Sequence, residues 1–227
     1  MHFHRYTPRK ALRMLLRPVR RLAWRWSSHE IHDWTQSLAL NEPRVTLVVA
    51  HPDDEVFCSG LICALADRGA EITLACFTRG EGGITEEVKI TELAALRESE
   101  LRKAADILGI KELHFLGYID PVPRRGTCHE PEHDPATLSS DLRALFVTTE
   151  PDLIITHGSS GEYWHPGHIL LHDYVRSAAP TETTLVSFNA FNAEHPIPEI
   201  INEDDRADFR CDARPYAERR ERALRCH

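Results

Sequence analysis

The chain of 227 residues is long enough for one well-buried domain and short for two. Its 42% apolar and 27% charged composition is ordinary for a globular protein, and no segment approaches the roughly 18 consecutive apolar residues needed to span a bilayer. The net charge of −8 hides an asymmetry: residues 1–30 carry eight Lys/Arg against Glu30 alone, so the arm is +7 and the remainder −15, a body too acidic to suit nucleic acid.

The basic arm is taken as residues 1–43. Its arginines are mixed with Leu12, Leu15, Leu16, Leu22, Trp24 and Trp26. Such a segment either lies on an anionic membrane surface as a peripheral contact or forms a solvated, partly helical extension. Arg13 and Arg17 interrupt the only candidate apolar run, so no secretory signal is expected.

Beyond the arm, residues 44–227 read as one domain. Residues 45–50 (VTLVVA) form the continuous β-branched run of a strand buried on both faces, which points to a parallel sheet. A helix is expected over about 56–68, stopped by Gly69, and a second strand over 71–77. The glycine-rich loop Arg79 to Ile84 leads into a long helix from about Glu86 to Leu108, closed by Gly109. A strand near 112–116 follows, and the proline-rich segment 118–135 reads as an irregular excursion.

The pattern resumes with a helix at about 137–149, a strand at 152–156, a helix from Pro166 to Ala178 and a strand near 184–188. Residues 190–206 read as loop and 216–226 as helix. Alternation of buried strands with helices predicts an α/β fold, a Rossmann-like, mostly parallel sheet with helices on both faces. Six cysteines (Cys58, Cys63, Cys76, Cys128, Cys211 and Cys226) lack any CxxC pair, so reduced thiols in a cytoplasmic protein are expected.

Chemistry gathers after two of the strands. Ala50-His51-Pro52-Asp53-Asp54-Glu55 follows the first strand directly, where open α/β sheets place their ligands. Three carboxyl groups within three residues repel one another unless a cation or a proton intervenes. Helix capping would account for one of them only. The second cluster, Thr156 to His168, also follows a buried strand and opens onto the same sheet edge. Pro166 suits the first turn of a helix, with His165 at its mouth and His168 one turn in, so that one histidine can bind metal while the other faces substrate.

A catalytic zinc takes three protein ligands and keeps one position for water. His51, Asp54 and His168 make such a set, and His172, four residues after His168, is the rival ligand on the same helix.

The segments AHPDDE, TRGEGG, LRESELRKAADILG, FLGYID and GEYWHPGH together resemble the LmbE/PIG-L family of zinc deacetylases, a resemblance covering about residues 44–227. It implies a Rossmann-like fold and a bound Zn2+, with another divalent metal such as Fe2+ as the alternative. It also implies removal of an N-acetyl group from an N-acetylglucosamine-type conjugate. By resemblance His51, Asp54 and His168 bind the metal, and Asp53 is the general base. Arg97 and Asp120 contact the sugar, while Tyr163 and His165 steady the oxyanion or protonate the leaving amine.

Two departures stand out. The family usually reads HPDH where this chain has Gly167, which removes the carboxylate that orients His165; Glu162 and Asp173 are the nearest replacements in sequence. Family members also continue past a C-terminal histidine, whereas this chain stops at His227, which suggests a truncated tail. An amidase on a bulkier conjugate, or a non-catalytic sugar- or metal-binding homologue, are the alternatives to the deacetylase.

Overall fold

The computed structural model describes residues 32–33, 42–83, 90–124, 127–188 and 208–227. Most of the basic arm, the start of the long helix at 86–89 and the loop-like stretch 190–206 lie outside the described residues.

Five strands form one parallel sheet: β1 (Arg44–Val49), β2 (Glu71–Thr78), β3 (Glu112–Tyr118), β4 (Leu153–Thr156) and β5 (Thr184–Ser187). Their spatial order is β3-β2-β1-β4-β5, so the order reverses between β1 and β4. The helices are α1 (Ser59–Ala66), α2 (Ile90–Leu108), α3 (Pro135–Thr149), α4 (Pro166–Ala178) and α5 (Ala217–Leu224). The Rossmann-like α/β fold expected from the sequence is the one observed.

Strand periodicity divides the core in two. Val45, Leu47 and Val49 point to one face and pack with Ile62, Leu101, Leu108 and Ala223 of α1, α2 and α5. Val48 and Ala50 point to the other and meet Leu138, Leu142, Phe146, Leu171 and Val175 of α3 and α4. Fully burying each of the Val, Leu, Ile and Phe side chains contributes about 1.5–3 kcal/mol, and the helices on both faces are held by this burial. Asp134 caps α3 by accepting the Thr137 N–H at 2.8 Å. Gly109, at φ 88°, ends α2 where the Ile110 N–H reaches back to the Ala105 carbonyl at 3.0 Å.

The first helix begins differently from expectation. Residues Asp54–Cys58 form a tight 3-10 turn before α1, because Asp53 sits at φ 110° and the chain enters the helix through a strained corner. A two-residue parallel ladder joins His32–Asp33 to Phe209–Arg210, an element too short to carry a sequence period. No helix among the described residues is long and apolar enough to cross a membrane.

Candidate metal centre

Open α/β sheets bind ligands beyond the strand ends where the order reverses, and both histidine clusters emerge there, from the C-terminal ends of β1 and β4. Cross-links fix these ends to each other. The Ala50 N–H donates to His157 Nε2 at 2.9 Å, and Thr78 at the end of β2 donates from its N–H and its hydroxyl to the Ala50 carbonyl.

On this frame three donors converge. His51 Nδ1 lies 3.1 Å from His168 Nε2 and 3.3 Å from Asp54 Oδ2, and His168 Nε2 lies 3.2 Å from Asp54 Oδ1. The outer nitrogens set the tautomers: His168 Nδ1 meets Glu162 Oε2 at 2.6 Å, and His51 Nε2 faces Asp120 Oδ1 at 3.4 Å. With protons on those nitrogens, two imidazole lone pairs face each other and a carboxylate, an arrangement that needs a cation or a proton at its centre. Tetrahedral coordination at bond lengths of roughly 2.0–2.2 Å separates neighbouring donors by about 3.3–3.6 Å. The residues present therefore fit a zinc-like ion.

The carboxylates around the two histidines favour their charged forms. Burial disfavours protonated His51, but Asp120 and Asp54 outweigh it and raise its pKa to about 10. His168 follows the same logic, with Asp54 and Glu162 overcoming burial to reach about 9. Burial works against ionised Asp54, yet His168, His157 and His51 hold it well below the usual carboxylate range.

Glu162, one of the two nearest candidates in sequence for the missing carboxylate, organises a second layer. Rather than replacing the missing carboxylate at His165, its Oε2 takes both His168 Nδ1 and His157 Nδ1, at 2.6 and 2.8 Å, and its Oε1 accepts the Gly158 N–H at 3.0 Å. Burial opposes its charge, but the two histidines bring its pKa down to about 2. Glu162 adopts φ 58° within the turn Gly161–Trp164, backbone strain held by these bonds. His157 lies near Asp54 and His168 as well, but both its nitrogens are committed, one to Glu162 and one to Ala50. His172, the rival ligand, bonds the His157 carbonyl through Nδ1 at 2.8 Å and falls in neither candidate donor group among the described residues.

Asp53 is half exposed and stands outside the candidate donor groups among the described residues, its Oδ2 paired with Arg97 Nη2 at 2.8 Å. Its enclosure and the neighbouring Asp54 charge raise its pKa to about 6 against the pull of Arg97. Arg97, reaching in from α2, also donates to the Pro52 carbonyl and crosses Gly80, where a β-carbon would collide with its guanidinium. Asp120, expected at the sugar, lies against the outer nitrogen of His51. Glu55 is 0% exposed and bonds His227 Nε2 at 2.7 Å, so it is no spare base.

Tyr163 lies at the mouth with ring centroids 5.8 Å from His165 and 5.3 Å from His168, beside exposed Trp164. The His165 imidazole is close enough to join His51 and His168 around one ion. Its Nδ1 is buried without a hydrogen-bond partner among the described residues, and a β-carbon at Gly167 would lie 3.4 Å from it. Burial, then His51 and His168, lower its pKa to about 3.

Residues 46–179 match the family model described as PIG-L: GlcNAc-PI de-N-acetylase. The chain belongs to the PIG-L family. Among PIG-L relatives it is 35% identical over 153 residues to a 1D-myo-inositol 2-acetamido-2-deoxy-alpha-D-glucopyranoside deacetylase of Corynebacterium diphtheriae, covering 60% of this chain and 52% of that one. It is 32% identical over 180 residues to a probable N-acetyl-alpha-D-glucosaminyl L-malate deacetylase 2 of Bacillus anthracis, covering 72% and 74%. The chain spans about half the length of the first of these relatives. The solved N,N'-diacetylchitobiose deacetylase of Pyrococcus horikoshii shares the fold, with a TM-score of 0.60 at 22% identity over 100% of this chain and 80% of that one.

Proposed function

We propose that this PIG-L protein is a metal-dependent amide hydrolase that removes the N-acetyl group from an N-acetylglucosamine-type sugar conjugate, releasing acetate and a free amine. The observation that carries the reading is the convergence of His51 Nδ1, His168 Nε2 and the Asp54 carboxylate within 3.1–3.3 Å of one another. Two imidazoles and a carboxylate suit zinc, with iron(II) as the alternative. When bound, such an ion polarises the acetyl carbonyl and makes water acidic enough to attack near neutral pH.

Asp53 takes a proton from the attacking water at its carboxylate, while Arg97 holds that carboxylate at Oδ2. As the water oxygen bonds to the carbonyl carbon, Tyr163 steadies the developing negative charge at the mouth. The C–N bond then breaks, the leaving nitrogen takes up the proton that Asp53 drew from the water, and His165, neutral near pH 7, offers its N–H to the developing oxyanion beside Tyr163. In this reading Arg97 and Asp120 contact the sugar beside their bonds to Asp53 and His51, and the Tyr163 and Trp164 rings offer apolar faces to a sugar ring.

The substrate is a small N-acetyl sugar conjugate, in keeping with the deacetylases named among the relatives. Six free cysteines, three of them buried, suit a cytoplasmic location. The basic arm supplies a peripheral membrane contact in this reading. Residues 44–227 are the catalytic domain and residues 1–43 its arm.

One observation favours a second reading, a sugar-binding homologue without turnover: among the described residues no carboxylate bonds His165 Nδ1. Acetate release by zinc- and iron(II)-loaded protein from a panel of N-acetyl sugars separates the two. Release confined to longer acyl amides would move the assignment to an amidase. No release from any substrate would move it to the binding homologue.

A further inference from the structure

The last residue of the chain is joined to the motif that carries Asp53. Asp53 holds φ 110° and ψ −21°, a conformation that L side chains rarely adopt and that persists only where its surroundings enforce it. Arg97 restrains the side chain, but the backbone N–H is held by Glu55, whose Oε2 accepts it at 3.1 Å. Glu55 is fully buried and cannot exchange these bonds for water. Its other oxygen, Oε1, is met by His227 Nε2 at 2.7 Å.

His227 is brought to that oxygen by a helix fixed at several points. Arg219 of α5 donates to the Ile107 and Leu108 carbonyls, each at 2.7 Å, and pairs with Asp67 at 2.6 Å. Arg220 donates to the Ser59 hydroxyl at 3.1 Å, and Ala223 is completely buried against the first core. A donor held this firmly locks Glu55 in the rotamer that grips the Asp53 amide. Left alone, a buried carboxylate oxygen without a donor would turn toward another partner or draw in water.

We infer that His227 is a positioning residue for Asp53, acting through Glu55: it keeps the Asp53 corner in its strained form and so keeps the carboxylate aimed at the attacking water. The inference rests on the deacetylase reading for its catalytic consequence, but the structural linkage stands apart from it.

The test uses the full zinc-loaded chain with His227→Ala and His227→Gln, the latter keeping an N–H donor for Glu55. Four quantities are measured: zinc content, kcat, KM, and hydrogen exchange at the Asp53 amide by NMR. In His227→Ala we expect zinc content unchanged, kcat lowered about tenfold, the scale of other outer-layer effects, KM within about twofold, and Asp53 exchange about tenfold faster. His227→Gln should restore most of both kcat and protection. A role in stability alone would lower the melting temperature and leave kcat at permissive temperature within about twofold of wild type, which overturns the inference. Unchanged exchange at Asp53 overturns it too, as does a fall in kcat that merely follows zinc loss. If wild-type protein releases no acetate from any sugar, the deacetylase reading fails, and Asp53 exchange alone decides whether His227 positions that corner.

Discussion

Gly167 faces the Nδ1 atom of His165: a β-carbon at 167 would lie 3.4 Å from that nitrogen, which is buried and has no hydrogen-bond partner among the described residues. The same β-carbon would lie 3.4–3.5 Å from His51 Cε1 and Nε2, an ordinary contact distance, so a β-carbon fits this corner without a clash. Glu162 is committed to His157 and His168 and does not fill this role. Gly167→Asp should therefore give His165 the acceptor it lacks and raise turnover about tenfold, the lower end of outer-layer effects at metal sites. Acetate release by wild type and variant, measured side by side with saturating zinc, checks this. A fall in turnover would mean that the new carboxylate competes with Asp120 for His51.

Asp53 has the exposure and the Arg97 restraint of a base, not the placement of a ligand. Asp53→Asn should retain zinc and lose about 10²–10⁴-fold in kcat, because an amide cannot take the proton from water. Metal content and steady-state kinetics on the same preparation decide it. Activity close to wild type would remove Asp53 from the mechanism.

Glu162 should matter for metal affinity more than for any chemical step. It holds the proton on the far nitrogen of His168 and leaves the near one free. Glu162→Gln removes the charge and cannot accept both imidazoles through one oxygen in the same way. Zinc affinity should fall about 10–100-fold, read by competition against a chromophoric chelator. An unchanged affinity would contradict the tautomer assigned to His168.

The His227 and Glu55 pair should leave a mark on the pH dependence of stability. Burial lowers the proton affinity of His227, but Glu55, with further help from Asp53 and Glu100, raises its pKa above the usual histidine value. A histidine whose pKa is higher folded than unfolded stabilises fully below its unfolded value, about 6.5, and loses that contribution as pH rises through the folded value. The stability gap between wild type and His227→Ala should therefore be widest near pH 6 and shrink toward pH 10. Urea unfolding of the metal-free proteins at both pH values measures it. A gap that widened with pH would place the proton on the wrong side of the pair.

What the sequence determined by itself is whatever is written at short range. Apolar runs such as VTLVVA and the helical period of Leu93 to Leu108 gave the order and type of five strands and five helices, because burial on one or both faces is a local pattern. The three residues proposed as ligands could also be picked out locally, since His51 and Asp54 share one motif and His168 sits one turn into the helix after Pro166. Only the tertiary structure decided how the acidic residues were shared out. Glu162 went to His168 and His157, Asp120 to His51, and Glu55 to a histidine 172 positions away. A carboxylate in a sequence looks equally fit to cap a helix, hold a metal, take a proton or steady a histidine. Its role is set by which partner lies within about 3 Å once strands from distant parts of the chain are laid side by side.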